Sequence, residues 1–159
     1  MMNKIQAITA AFILIMISGC ASVNPVYKGG RESVNNPYEP RIETESLRFF
    51  TSDGSGLEKK YRVYNSSFRE GSVDWMWYEL IVRNLSDTDE AISFREIWLD
   101  GENRIINSTR KEMKLKKKDV YLEYSAGLKT DWKEGYYVLQ LFQDSLKIAE
   151  KEFKITKIR

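Results

Sequence analysis

Short apolar runs recur about every ten residues from Ser46 onward, and this spacing constrains the possible fold more than any other feature of the sequence. Turn residues separate the runs, and no run keeps a helical period over several turns. The chain contains nine Tyr, seven Phe and four Trp, and aromatic residues are frequent in strands because they pack well on a pleated surface. The sequence therefore predicts an all-β fold.

The strongest predicted strand covers residues 73–83. Successive side chains of a strand point to opposite faces, so alternate positions form two sets. We assign to the core the face that carries Met76, Tyr78, Leu80 and Val82. The opposite face carries Trp75, Trp77 and Ile81, together with Glu79 and Arg83. An outward face this aromatic is a candidate interaction surface.

Earlier and later runs predict further strands. A strand over residues 47–50 ends in a turn at 52–56, and a second strand covers residues 57–64. Residues 91–99 predict another strand. Its apolar side chains lie on one face in the first half, at Ile92 and Phe94, and on the opposite face in the second half, at Ile97 and Leu99. This change predicts a β-bulge near residues 95–96, because an extra residue reverses the alternation.

Asp-Gly at residues 100–101 predicts a β-hairpin with a type I′ turn, which favours residues that tolerate positive φ. The hairpin would pair residues 92–99 with 104–115. A short strand at residues 120–124 follows, and residues 126–134 are predicted to form a loop.

The last thirty or so residues predict a closing hairpin. Three side chains alternate inward on its first strand: Tyr137, Leu139 and Leu141. Asp144-Ser145 forms the turn, and the returning strand supplies Ala149, Phe153 and Ile155.

The opening of this hairpin resembles that of bacterial immunoglobulin-like or fibronectin-type-III-like domains, in which Trp-x-x-Gly-x-Tyr-x-Val starts the penultimate strand. The corresponding residues here are Trp132, Gly135, Tyr137 and Leu139. The resemblance implies an immunoglobulin-like, two-sheet antiparallel sandwich of seven to eight strands, over residues 44–159. Since this architecture serves many functions, it does not indicate an activity.

The N-terminus has the pattern of an export signal. Lys4 precedes an apolar run that is too short to span a bilayer, and the run ends at Cys20, the only cysteine of the chain. The segment Ile17-Ser18-Gly19-Cys20 resembles the lipobox of bacterial lipoproteins, although Ile17 replaces the more usual leucine. The alternative is an ordinary membrane anchor in which the cysteine is incidental.

The lipobox resemblance implies cleavage of residues 1–19 between Gly19 and Cys20, and a diacylglycerol and an N-acyl chain on Cys20. Several acyl chains hold a protein on a membrane almost permanently. Residue 21 is Ala, not the aspartate that retains such proteins at the inner membrane. The resemblance therefore implies an outer-membrane protein that faces the periplasm or the cell surface.

Residues 20–43 are rich in Asn, Pro, Gly, Ser and charge and lack an apolar period, so we expect a flexible tether. Alternatively, this segment folds onto a partner through Tyr27 and Tyr38. A single folded domain would follow the tether.

Composition narrows the possible functions. The 25 Lys+Arg nearly balance the 23 Asp+Glu, which argues against nucleic-acid binding. The chain has no His, and an acylated cysteine provides neither a nucleophile nor a disulfide, so we expect no enzyme and no cofactor beyond the lipid. Two clusters of acidic residues could offer oxygen ligands to calcium: Asp87, Asp89 and Glu90, and Asp100 with Glu102. Their spacing matches no known calcium-binding loop, so we expect no metal site.

A lysine-rich stretch has two interpretations: Lys114, Lys116, Lys117 and Lys118. These cations could contact anionic lipid headgroups. We favour the second interpretation, in which they protect a sheet edge from pairing with another chain.

The tryptophan-bearing face also has two interpretations. It is either a platform for a partner, or a surface that the tether or a loop covers. Our functional prediction is a non-enzymatic, lipid-anchored domain that binds an envelope protein. The alternative is a glycan- or peptidoglycan-binding module that uses Trp75, Trp77 or Trp132.

Overall fold

The computed structural model of the protein describes residues 40–117 and 121–157. It confirms the predicted all-β class. The eight strands are β1 (Ile42–Ser52), β2 (Ser67–Arg69), β3 (Trp75–Asn84), β4 (Glu90–Asp100), β5 (Ile105–Leu115), β6 (Tyr121–Lys129), β7 (Gly135–Gln143) and β8 (Leu146–Thr156), with a 3₁₀ turn at Lys59–Tyr61. The predicted lipobox, Cys20 and most of the tether lie outside the described residues. β1 begins at Ile42, inside the segment predicted as tether.

The strands form two sheets. One sheet has three strands in the order β1-β3-β6, and the other has five in the order β2-β8-β7-β4-β5. All neighbouring pairs are antiparallel except β2 and β8, which are parallel. β1 and β2 thus belong to different sheets, so the chain crosses from one sheet to the other between them.

Strand order and two aromatic residues identify the sandwich as immunoglobulin-like. Antibody-type domains carry a buried Trp on a central strand and a Tyr near the start of the neighbouring strand, whose hydroxyl bonds to upstream backbone. Trp98 on β4 takes the first role, and its register partner on β7 is Leu139. Tyr137 takes the second role, because its hydroxyl donates to the carbonyl oxygen of Lys133 at 2.9 Å and accepts from the Lys133 N–H at 3.1 Å.

The core between the sheets is built on aromatic packing. The Trp98 side chain is fully buried. Four rings have centroids between 5.8 and 6.2 Å from the Trp98 ring: Phe49, Tyr78, Trp132 and Phe153. The predicted inward phase of β3 is confirmed, since Met76, Tyr78, Leu80 and Val82 are all fully buried. The predicted inward residues of β7 are also buried.

The chain enters the sandwich at the end that we call the proximal end. Here the Arg41 N–H donates to Gln143 Oε1 at 3.3 Å, and the Arg41 carbonyl accepts from the Leu85 N–H at 3.0 Å. Arg41 also pairs with Glu90 at 3.6 Å. The start of β1, the end of β3, the start of β4 and the end of β7 therefore meet at this end.

Two predicted segments are wrong. Residues 57–64 form no strand: apart from the 3₁₀ turn they are irregular, because the outward residues Tyr61 and Val63 are 61% and 77% exposed and supply no apolar face. Residues 126–129 continue β6 instead of forming a loop. The three-residue strand β2 was not predicted, since its length is below what alternation can indicate.

The predicted bulge near residues 95–96 is also wrong. β4 pairs with β7 without interruption from Phe94 to Asp100, and the irregularity opposite β5 falls between Trp98 and Leu99. The apolar residues change face along β4 because Ile97 and Leu99 are also buried, each with 8% exposure. Neither residue belongs to the core between the sheets.

The hairpin between β4 and β5 is confirmed, but its turn is longer than predicted. Residues 101–104 connect the strands, and the residue with positive φ is Asn103 at 61°. The Asp100 carboxylate accepts the N–H groups of Glu102 and Arg104, both at 2.9 Å, and so stabilises the longer loop. The predicted turn at Asp144-Ser145 is confirmed, with Asp144 at φ 55°.

We predict that Tyr137→Phe lowers the free energy of unfolding by about 1–2 kcal/mol, because the Lys133 backbone loses a partly buried hydrogen-bond partner. The measurement is urea unfolding followed by tryptophan fluorescence. Tyr136→Phe is the matched control, since Tyr136 is 49% exposed. Equal effects of the two substitutions would contradict a structural role of the Tyr137 hydroxyl.

Candidate functional site

The outer face of the three-stranded sheet carries the predicted tryptophan surface, which we define as Trp75, Trp77 and Ile81. All three side chains are half-buried on β3, the central strand of this sheet. The two indole centroids lie 6.1 Å apart with 31° between the ring planes. The surface thus presents a paired aromatic patch, only part of which is open.

The turn at residues 53–56 accounts for this partial cover. Trp77 Nε1 donates to the Asp53 carbonyl at 3.1 Å. A Cβ added to Gly54 would lie 3.2 Å from the Trp75 ring, and one added to Gly56 would lie 3.2 Å from the Trp77 ring. The loop thus covers part of both indole rings, as one of the two interpretations of this face predicted.

Gly127 on β6 allows Trp77 to lie flat across the neighbouring strand. The two residues are register partners, and a Cβ at Gly127 would come within 2.7 Å of the indole. A side chain at position 127 would displace the ring. This close approach explains a glycine inside a strand, where glycine is otherwise unfavourable.

A charged cluster occupies the same outer face beside the tryptophans. We call it the Glu79 network. Glu79 is fully buried, and its carboxylate receives hydrogen bonds from Arg48, Arg62 and Tyr64. The bond from Arg62 Nη1 to Oε2 is 2.7 Å long. Because Arg62 and Tyr64 belong to the irregular segment 57–64, the network fastens that segment across the sheet.

The network extends to the edge of the sheet through Glu123 on β6. Arg62 also pairs with Glu123, which in turn accepts from Lys59 Nζ at 2.7 Å. Aromatic contacts support the arginines: the Arg48 guanidinium lies 4.0 Å from the Tyr64 ring centroid, and that of Arg62 lies 4.9 Å from the Phe50 ring centroid. The buried Glu79 carboxylate therefore has cationic partners, and the two arginines that bind it also contact ring faces.

Burial alone would raise the pKa of Glu79, but the hydrogen bonds from Tyr64, Arg48 and Arg62 outweigh it and lower that pKa to about 2. Burial and the nearby Glu79 carboxylate raise the pKa of Tyr64. Glu79 is thus held as an anion and Tyr64 as a neutral donor. A fully ionised carboxylate enclosed by cations suits a structural role better than general acid catalysis.

A second buried acid, Glu96, lies in the core. Its carboxylate accepts from the Tyr78 hydroxyl at 2.8 Å and from Trp98 Nε1 at 2.7 Å. Burial, together with the nearby Glu96, raises the pKa of Tyr78. Glu96 is 1% exposed and has no access to a substrate.

At the end of the sandwich opposite the proximal end, a cleft of about 590 Å³ is lined by Glu70, Asp74 and Asp131, among others. Asp131 pairs with Lys133 at 2.9 Å. Trp132 also lines this cleft but is only 3% exposed, so it is not the open sugar platform that the glycan hypothesis requires of it.

The candidate calcium ligands Asp89 and Asp100 form ordinary turn contacts. Asp89 accepts from Lys116 Nζ at 3.2 Å and from the Lys117 N–H at 2.8 Å, and Asp100 pairs with Arg104 at 2.7 Å. Within residues 40–117 and 121–157, no group of three or more metal-binding side chains comes together.

The lysine-rich stretch lies at a sheet edge. β5 is the outermost strand of the five-stranded sheet, Lys114 is exposed on it, and Lys116 and Lys117 follow directly. Lys118 lies outside the described residues. This placement is compatible with edge protection, which stays a prediction.

β6 forms a second edge that the sequence did not predict, because its last residues lie in the predicted loop at 126–134. In the described part of the chain, β6 pairs with β3 alone. β6 is nine residues long and has its single lysine, Lys129, at its last position. It therefore lacks the central lysine or proline that usually protects an exposed edge.

No protein family matches this sequence, and no curated protein does. Solved structures with a similar backbone include a β-glucosidase from Listeria innocua (11% identity over 72% of this chain and 16% of that chain, TM-score 0.47). They also include an immunoglobulin-like protein from Pseudomonas aeruginosa (9% identity, 75% and 99%, TM-score 0.44) and a glycosyl hydrolase family 2 member from Bacteroides cellulosilyticus (15% identity, 72% and 15%, TM-score 0.44). The chain thus spans only about a sixth of the β-glucosidase. Among the described residues, no helix has the length and apolar character needed to cross a membrane.

We predict that Glu79→Gln reduces stability near neutral pH by up to about 3 kcal/mol. The folded-state pKa of Glu79 lies below its ordinary value of 4.5. The stabilisation by its charge is therefore complete above pH 4.5 and is lost as the pH falls towards 2. Denaturant unfolding at several pH values should show a steeper acid loss of stability in the wild type than in Glu79→Gln.

Glu58→Gln is the matched control for this prediction, because the Glu58 side chain is 71% exposed and belongs to the same segment. It should follow the wild-type pH dependence. Equal slopes for the wild type and Glu79→Gln between pH 4.5 and 2 would contradict the assignment of the buried charge.

Proposed function

We propose that this protein is a non-enzymatic lipoprotein of the bacterial outer membrane whose immunoglobulin-like domain binds another envelope protein. The proposal combines the lipobox resemblance at Cys20, the tether predicted over residues 20–43, and the immunoglobulin-like fold. No resident cofactor is required beyond the acyl chains on Cys20.

The observation that carries this proposal is the edge of β6. An exposed strand edge offers backbone N–H and C=O groups to an added strand, and peptides bind many β domains by such strand addition. The described part of the chain leaves this edge of β6 without a neighbouring strand. We therefore assign the partner an extended segment that adds beside β6.

Side chains beside the edge would supply specificity. The Trp77 ring lies across Gly127, and Tyr121 at the start of β6 is 58% exposed. Aromatic residues supply much contact area at low entropic cost and are frequent in binding hot spots. An added strand would thus contact aromatic groups as well as the backbone of β6.

Anchoring makes modest affinity sufficient. A partner in the same membrane or the adjacent periplasm meets a tethered domain at a high effective concentration, which strengthens weak contacts without adding new ones. In this mechanism the domain holds a component of the envelope in place, as an accessory of assembly, secretion or envelope structure.

The test is photo-crosslinking in intact cells, followed by mass spectrometry of the attached molecules. We expect Tyr121→p-benzoylphenylalanine to capture one dominant envelope protein. Tyr136→p-benzoylphenylalanine is the matched control, since Tyr136 is similarly exposed, at 49%, but lies on the other sheet. Adding Cys20→Ala should abolish capture. Equal capture from both positions, or none from Tyr121, would contradict binding at the β6 edge.

A glycan-binding function remains the second candidate, because the half-buried Trp75 and Trp77 rings lie side by side at 6.1 Å. Sugars stack on such rings. If this function is correct, peptidoglycan fragments should quench tryptophan fluorescence in a saturable way, and Trp75→Ala should remove the effect. Capture of only peptidoglycan fragments from Tyr121 would also favour this function.

A further inference from the structure

Two arginines lie directly opposite each other on the outer face of the five-stranded sheet. Arg95 on β4 and Arg110 on β5 are register partners, and both are exposed. Like charges at opposed positions of neighbouring strands destabilise a sheet. A pair of this kind requires another explanation than stability.

Both arginines line one cleft, which we call the arginine cleft. Its volume is about 270 Å³, and its lining residues are Ser93, Arg95, Arg110, Phe142, Asp144 and Ser145. No carboxylate among the described residues forms an ion pair with Arg95 or Arg110. Asp144 is the one acid in the lining, so two cations face a single carboxylate there.

The Phe142 ring positions the Arg95 side chain in the cleft. The Arg95 guanidinium lies 5.5 Å from the centroid of the Phe142 ring, a contact that orients the side chain while its N–H groups stay available. The Ser93 hydroxyl oxygen is shielded from solvent and has no hydrogen-bond partner. A ligand in the cleft cannot reach this shielded oxygen, so the hydroxyl open to the cleft is that of Ser145, which is exposed.

We propose that the arginine cleft binds a phosphate group. Guanidinium groups bind phosphate oxygens through paired, charge-assisted hydrogen bonds, and a hydroxyl can add another. The turn at Asp144-Ser145 directly follows Gln143, which contacts Arg41 at the proximal end. The cleft therefore lies near the proximal end of the domain. The phosphate belongs either to a lipid headgroup or to a small solute.

The first experiment titrates inorganic phosphate into the full chain carrying Cys20→Ala and follows the arginine Nε–Hε signals by NMR. We expect saturable shifts of the Arg95 and Arg110 signals. Arg95→Gln and Arg110→Gln should each weaken phosphate binding by about tenfold. Arg69→Gln is the matched control, because Arg69 is an exposed arginine on β2, outside the cleft, and removes the same charge.

A second measurement separates binding from a structural role. Without phosphate, Arg110→Gln should leave the melting temperature unchanged or raise it, because the substitution removes one of two like charges at opposed positions. With phosphate, the wild type should gain stability and Arg110→Gln should not. A loss of stability in Arg110→Gln without phosphate would show a structural role and overturn the proposal.

Vesicles distinguish the two sources of phosphate. Stronger binding of the same protein to phosphatidylcholine vesicles that contain phosphatidylglycerol than to pure phosphatidylcholine, reduced by Arg95→Gln but not by Arg69→Gln, would assign a lipid headgroup. Saturable binding of inorganic phosphate without this vesicle effect would assign a small solute. The proposal fails if neither probe distinguishes the cleft variants from Arg69→Gln.

Discussion

Burial of the Trp98 indole between the two sheets is the contact on which the rest of the domain depends. Its ring packs against aromatic residues of both sheets, so removal of the indole would open the centre of the core. Its N–H also needs a buried partner, and Glu96 supplies it. Since the same carboxylate accepts from Tyr78 on β3, one acid links the two sheets by hydrogen bonds.

Alternation predicted the strands whose two faces differ in burial, such as β3 and β7, but it failed where distant residues decide the conformation. Residues 57–64 alternate as a strand would, yet Arg62 is held by Glu79 of another strand. Gly127 lies in the segment predicted as a loop, whereas it is a strand residue whose missing side chain leaves room for Trp77. Both errors arise from contacts between residues far apart in the sequence.

The candidate surfaces, like the strands, could be predicted from the sequence only in part. The outward position of Trp75 and Trp77 followed from the phase of one strand, but their partial cover depends on the turn at residues 53–56. The open edge of β6 depends on strand order, which no local pattern encodes. The opposition of Arg95 and Arg110 likewise needed the register of two strands, since the hairpin turn differs in length from the predicted one.

The positions of β1 and β6 at opposite edges of one sheet have a mechanical consequence. A tension that enters at Ile42 and leaves through a partner on β6 would cross the β1–β3 and β3–β6 ladders and bypass the five-stranded sheet. Because inter-strand hydrogen bonds run perpendicular to the strands, a pull along β1 loads the bonds of its ladder together instead of opening them one at a time. The smaller sheet would carry such a force in shear if the proposed partner pulled along β6 in the direction opposite to the pull at Ile42.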